Sequence, residues 1–236
     1  MASLDEIIFA IDTKADKLCL DIFNKTGTPI NTVLPNQYTA LTYAIFKANS
    51  NLATALLDSG ADASTLDEHK KNPLYYAVRY GFTNLVKKLL ELGADPATVI
   101  NVDGWNPFHL ACYLGRSPEV NLLLMENGSQ FINTPSVGGQ TPLHLAAAGG
   151  FDAIVKLLLS KGAIPDAKDA QRRQTPLHLA ALKGHTKSCV ALLEYDARLH
   201  EPDETKLRKT PLELARDFRH FATAAAMLKA YNKDAE

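Results

Sequence analysis

Apolar residues along the chain fall into two alternating blocks. One block is a hexamer with a polar first residue and an apolar body. It reads Thr-Ala-Leu-Thr-Tyr-Ala from Thr39, Asn-Pro-Leu-Tyr-Tyr-Ala from Asn72 and Asn-Pro-Phe-His-Leu-Ala from Asn106. It reads Thr-Pro-Leu-His-Leu-Ala from Thr141 and Thr175, and Thr-Pro-Leu-Glu-Leu-Ala from Thr210. The other block is marked by leucine pairs, Leu56-Leu57, Leu89-Leu90, Leu158-Leu159 and Leu192-Leu193. Successive hexamers start 33, 34, 35, 34 and 35 residues apart, which is a repeat and not chance. Glycines keep phase with both blocks. Gly81, Gly115, Gly150 and Gly184 each fall nine residues after a hexamer begins. Gly60, Gly93 and Gly162 close the leucine-pair blocks, Gly27 and Gly128 hold the same place, and Asp196-Ala197 replaces the glycine once.

This pattern predicts pairs of short helices. Thr or Asn caps the first helix, and Pro follows at the first helical position, where a missing N–H costs nothing. The glycine nine residues on ends it. The leucine-pair block is a second helix, stopped by the next glycine, and turn-rich segments such as 101–104 then bring the chain back as a finger loop. Residues 4–11 and 15–23 read as a degenerate first pair, and 210–231 as a last one. Gly115 to Gly128 spans 13 residues against 12 from Gly81 to Gly93. The extra residue is expected at the start of the second helix, in Ser117-Pro118-Glu119.

A Thr-Pro-Leu-His-Leu-Ala hexamer at a period of about 33 residues resembles the ankyrin repeat signature, and the resemblance covers essentially the whole chain. It implies an all-α fold, an ankyrin-repeat solenoid of stacked helix–turn–helix units with finger loops. The implied organisation is a single domain over residues 1–236. Its approximate repeats are 1–35 (N-terminal cap), 36–68, 69–102, 103–137, 138–171, 172–206 and 207–236 (C-terminal cap). The family implies a non-catalytic protein–protein interaction module, an adaptor or scaffold acting through a concave groove and its fingers. In repeat number and length the chain is also similar to gankyrin-type proteasome assembly chaperones. A regulatory inhibitor that masks its partner, as NF-κB inhibitor proteins do, is a further implied role, although no acidic or Ser/Pro-rich degradation tail is visible.

Composition narrows the function classes. Hydrophobic residues are 46% and charged residues 22%, as in globular domains. The 25 basic and 26 acidic side chains, net charge -1, argue against a nucleic-acid binder. Three scattered cysteines do not make a disulfide scaffold and fit a reducing compartment. The first 20 residues hold no signal-peptide core, and no apolar run reaches the ~18 residues that span a bilayer. The expectation is a monomeric cytoplasmic protein, with the nucleus as a second location, binding neither membrane nor nucleic acid. Charge is uneven, however. Residues 1–68 carry four basic and nine acidic side chains, net -5, and residues 172–236 carry twelve and nine, net +3.

His109, His144 and His178 occupy one position of three hexamers, with Thr42, Tyr75 and Glu213 there in others. Equivalent atoms of stacked repeats lie roughly a helix diameter apart, about 10 Å. Ligands of one metal ion lie ~2 Å from it. The family resemblance implies that these histidines are structural, hydrogen-bonding within and between repeats. No nucleophile, metal-ligand set or phosphate loop is present, so no catalytic residue, metal or cofactor is expected. The basic runs Lys70-Lys71, Arg172-Arg173 and Lys206-Leu207-Arg208-Lys209 read as solvated fingers. The family's variable positions imply partner-binding residues at Tyr38, Phe46, Arg79, Tyr80, Trp105 and Tyr113. Aromatics and Arg are the residue types of interface hot spots. Repeat five is small at these positions, with Gly138, Gln140, Ala148 and Gly149. The expected occupant is a helix or extended segment of another protein.

Overall fold

The computed structural model describes residues 4–99 and 101–233. Among them lie fourteen helices and no strand beyond one antiparallel bridge between Val33 and Thr39. Two compact units form, one ending at Asn101 and the other beginning at Val102. The first contains α1 (Leu4–Asp12), α2 (Asp16–Thr26), α3 (Ala40–Phe46), α4 (Ser50–Asp58), α5 (Pro73–Tyr80) and α6 (Thr83–Glu91). The second contains α7 (Pro107–Tyr113), α8 (Ser117–Phe131), α9 (Pro142–Gly149), α10 (Asp152–Ser160), α11 (Pro176–Lys183), α12 (Thr186–Leu193), α13 (Pro211–Asp217) and α14 (Phe221–Lys233). Within each unit the odd-numbered helices pack in one row and the even-numbered helices in another. The core is the seam between the rows, filled by side chains such as Leu52, Leu56, Leu74 and Leu89 in one unit and Leu123, Leu143, Ile154 and Leu158 in the other.

The hexamer builds each first helix as its chemistry demands. The side chains of Thr39, Asn72, Asn106 and Thr210 accept the backbone N–H three residues on, satisfying a donor the helix start leaves open. The sixth hexamer residue is always alanine, and Ala44, Ala77, Ala111, Ala146, Ala180 and Ala215 are fully buried. Its carbonyl accepts the N–H of the residue five positions later, at 2.7–3.1 Å, which folds the chain back into the second helix. Ala10 makes the same bond to Ala15 without any hexamer. A larger side chain at this position would meet the turn it holds.

Glycines at the turn have a second task. Gly150 lies at φ +71°, and a Cβ there would come within 2.5 Å of the His185 ring of the next repeat. Gly184 stands in the same relation to His220. Those imidazoles close the repeats together: His185 Nε2 bonds to the Ala148 carbonyl at 3.1 Å and His220 Nε2 to the Leu182 carbonyl at 3.2 Å. Gly150→Ala should therefore cost about 2–3 kcal/mol, from the left-handed backbone and the displaced ring together. Urea denaturation measures it, and an unchanged midpoint would show that ring and backbone relax freely.

The irregular repeat is lengthened at its other end. α8 starts two residues after Gly115, as α10 starts two after Gly150 and α12 two after Gly184. No residue is added at Ser117-Pro118-Glu119. Instead α8 runs 15 residues, past Gly128 to Phe131, where α10 has 9. Gly128 therefore does not stop the helix. Phe131 and Ile132 bury their side chains there, and that burial holds the added turn against the glycine's weak propensity. Asn133 then fixes the loop, donating to the Gly162 carbonyl at 3.0 Å and accepting the Ile164 N–H at 2.9 Å.

Fingers are fastened by buried acids. Asp67, Asp169 and Asp203 sit at their feet and accept backbone N–H groups of Lys71, of Arg172 and Gln174, and of Thr205 and Lys209. Neighbouring fingers also bond through the backbone, Glu68 to Gln37 in the first unit and Val137 to Asp103, Ala170 to Gly138 and Glu204 to Arg172 in the second.

Candidate functional site

In the first unit the fifth hexamer residue is aromatic, Tyr43 and Tyr76, and the helices α3 and α5 set the two side by side with the finger residue Tyr38. Tyr43 is nearly buried, and its hydroxyl donates to Asp12 Oδ1 at 2.8 Å. Tyr76 is buried, and its hydroxyl donates to Asp67 Oδ2 at 2.8 Å. Tyr38 lies between them, its ring centroid 5.5 Å from Tyr43, 5.9 Å from Tyr76, 4.8 Å from His69 and 5.2 Å from Phe46. Phe46 continues the sheet of rings to Tyr80 at 6.3 Å, edge to face. Offset and edge-to-face contacts at these distances stabilise aromatic pairs and fix their orientation.

The rim of this surface is charged. Lys47 Nζ lies 2.8 Å from Asp12 Oδ1 and 5.1 Å from the Tyr43 ring centroid. The hydrogen bond from Lys47 holds the Asp12 carboxyl below its ordinary range, and the same bond raises Lys47. Arg79 donates to the Tyr75 hydroxyl at 3.1 Å, with its guanidinium 6.0 Å from that ring centroid. Lys71 Nζ approaches the same ring to 5.2 Å. Burial pushes the Tyr76 phenol far up, the Asp67 carboxylate adding to it, and burial also raises Tyr38. The Tyr76 phenol stays protonated and donates to Asp67.

Of the six residues predicted to bind a partner, the first unit thus brings Tyr38, Phe46 and Tyr80 into one connected surface with Arg79 in the adjoining turn of α5. Phe46 is 40% exposed and Arg79 is exposed, while Tyr38 and Tyr80 are half-buried. Trp105 and Tyr113 form a separate pair within the second unit, centroids 5.0 Å apart, Tyr113 exposed and Trp105 half-buried.

The repeat histidines lie inside the fold. His144 is fully buried; its Nδ1 accepts the Thr141 backbone N–H at 3.1 Å and its Nε2 donates to the Gln174 carbonyl at 3.0 Å. His178 repeats this with Thr175 and the Lys209 carbonyl, and His109 Nε2 reaches the Thr134 carbonyl. The His144 and His178 rings therefore tie one repeat to the next, while His109 closes its own repeat. Among the described residues no three His, Cys, Asp or Glu side chains converge as a metal site would. Cys19, Cys112 and Cys189 are buried free thiols, and burial pushes Cys19 up to about 11 and Cys189 up to about 12. At those values the reactive thiolate is scarce.

A family model described as ankyrin repeats in three copies matches residues 7–100 and 97–169, and an ankyrin-repeat model matches 172–204. The chain is an ankyrin-repeat protein. A comparison with curated proteins gives no match. Ankyrin repeats are a general protein–protein interaction module, and no helix of the described residues is long and apolar enough to cross a membrane.

Set against the ankyrin hexamer, the missed residues stand out. Tyr43 and Tyr76 replace the leucine found at the fifth place in Leu110, Leu145, Leu179 and Leu214. They supply the floor on which Tyr38 and Phe46 rest, and Asp12 and Asp67 hold their hydroxyls. A comparison of the six hexamers position by position carries that signal. The acids could not be found this way, because they lie 31 and 9 residues from the phenols they bind.

Proposed function

We propose that this ankyrin chain is a non-catalytic adaptor or scaffold, a cytoplasmic monomer that holds another protein on the aromatic surface of its second and third repeats. One observation carries the reading: Tyr38, Phe46 and Tyr80 form a connected run of rings that remains open to solvent at Phe46. Burying such rings against a partner gains a large apolar area, and rings already held by their neighbours lose little freedom on binding. Trp105 and Tyr113 are a second contact in the other unit. Affinity capture from native extract, run in parallel with variants, tests this. Phe46→Ala and Tyr80→Ala should each weaken a captured partner by ~2 kcal/mol or more, about 30-fold in Kd. Lys156→Ala is the control, since its side chain is 57% exposed on α10. Weakening by the control and none by the aromatic changes would exclude this surface.

A further inference from the structure

A second surface lies on the fingers of the second unit. The finger before α11 carries Arg172 and Arg173, and the finger before α13 carries Lys206 and Arg208. The two are joined by the hydrogen bond from the Glu204 N–H to the Arg172 carbonyl, 2.9 Å, so their tips are neighbours. All four cations are exposed. Arg173 and Arg208 occupy the tip position at φ +54° and +46°, where other fingers of this unit have Gly104 and Gly139. An arginine there costs backbone strain that glycine would avoid.

Several cations elsewhere in this unit have a carboxylate. Lys168 pairs with Glu201, Arg198 with Asp166 and Glu201, Lys156 with Glu194, and Lys209 with Asp217. On the two fingertips only Arg173 is paired, to Glu204 at 3.5 Å. Arg172, Lys206 and Arg208 have no ion pair among the described residues. The acids at the feet of these fingers, Asp169 and Asp203, are buried and committed to backbone N–H groups. The tips are therefore a patch of unneutralised positive charge with Leu207, 74% exposed, at its centre.

From this we infer that the paired fingertips are a docking site for an acidic segment of a partner protein, with Arg172 and Arg208 taking carboxylates and Leu207 an aliphatic side chain between them. Guanidinium groups bind carboxylates through two parallel hydrogen bonds, which suits Arg at these positions better than Lys. A nucleic acid fits less well. The patch has no aromatic ring on which a base could stack, and the net charge of the chain is -1. This inference does not depend on the aromatic surface of the first unit.

The test uses the full chain and a fluorescein-labelled 12-residue peptide of Glu and Asp with two leucines, read by anisotropy at about 20 mM and 150 mM salt. The wild type should bind, more weakly at the higher salt. Arg172→Glu with Arg208→Glu should lower affinity at least about 10-fold. Lys187→Glu with Lys229→Glu, which makes the same charge change on exposed residues of α12 and α14, should leave it within about 2-fold. Arg172→Gln with Arg208→Gln should show an intermediate loss, and guards against misfolding of the reversed variant. Failure of the peptide to bind at the lower salt overturns the inference, as does an equal loss in both charge-reversed proteins. Tighter binding of a 12-nucleotide single strand, or of phosphatidylserine-containing vesicles, than of the peptide overturns it in favour of those anions.

Discussion

Deleting residues 206–236 should lower the melting temperature by roughly 10–20 °C or abolish the folded second unit. The deletion removes α13 and α14, which bury Leu212, Leu214, Ala215, Ala224 and Met227 against α11 and α12. The larger of these side chains each contribute on the order of 1.5–3 kcal/mol. It also removes inter-repeat bonds, from His178 to the Lys209 carbonyl, from His220 to the Leu182 carbonyl, and between the Thr186 and Thr223 hydroxyls at 2.7 Å. A loss near 5 kcal/mol displaces the midpoint of a chain this size by the amount stated. Repeat arrays owe their stability to neighbour contacts, so the new end would present an apolar face to water. Scanning calorimetry measures the shift, and sedimentation shows whether the exposed face aggregates. A deletion variant that stays monomeric and melts as the full chain does would mean that α13 and α14 do not cap the stack.

Much of this architecture is legible in the sequence because each hexamer states its own local rule. Thr or Asn caps, Pro starts, Ala lets the chain turn back, and glycine accepts the left-handed backbone at Gly81, Gly150 and Gly184. Those are interactions between residues a few positions apart, which spacing can report. The failures involve contacts that spacing does not encode. Gly128 reads as a stop, yet burial of Phe131 and Ile132 carries α8 beyond it. Gly150 reads as a helix end, yet it also leaves room for His185, a ring 35 residues away. The break between the units at residues 101 and 102 has no counterpart in the hexamer period, which is 34 residues across it.

The candidate site divides in the same way. The exposed members, Tyr38, Phe46 and Tyr80, occupy variable positions and are visible as such. What makes them a surface is the floor of Tyr43 and Tyr76, whose hydroxyls need Asp12 and Asp67. A buried phenol without an acceptor would cost more than it gains, so ring and acid must come together. That pairing depends on the stacking of α1, α3 and α5, which only the folded chain displays.

Stability should fall as pH drops from about 7 to about 5, and the buried repeat histidines should be the cause. Burial lowers the pKa of His144, His178 and His109 from the ordinary 6.5, and the carbonyl bonds at Nε2 offset only part of that. In the unfolded chain the same imidazoles protonate near 6.5. Between the folded and unfolded values the unfolded state binds more protons, so the slope of stability against pH is positive there. The contribution is complete above the unfolded value and is lost as pH falls through the folded one. The lowered carboxylates Asp12, Glu201, Asp203 and Glu213 act in the same direction, but from ordinary values of 3.8 and 4.5, so their loss comes at lower pH. The two windows separate, and the upper belongs to histidine. Protonating His144 would also turn its Nδ1 from acceptor to donor against the Thr141 N–H, breaking the bond that starts α9. His144→Ala should cost about 1–3 kcal/mol at neutral pH, because it leaves the Thr141 N–H buried without a partner and takes one of two donors from the Gln174 carbonyl, which keeps the Asp169 N–H. It should also flatten the acid limb, since one of the titrating groups is gone. Urea midpoints at pH 7, 6 and 5 for both proteins decide the matter. A wild type whose stability is level across that range, or a variant that retains the full slope, would remove the histidines from the account.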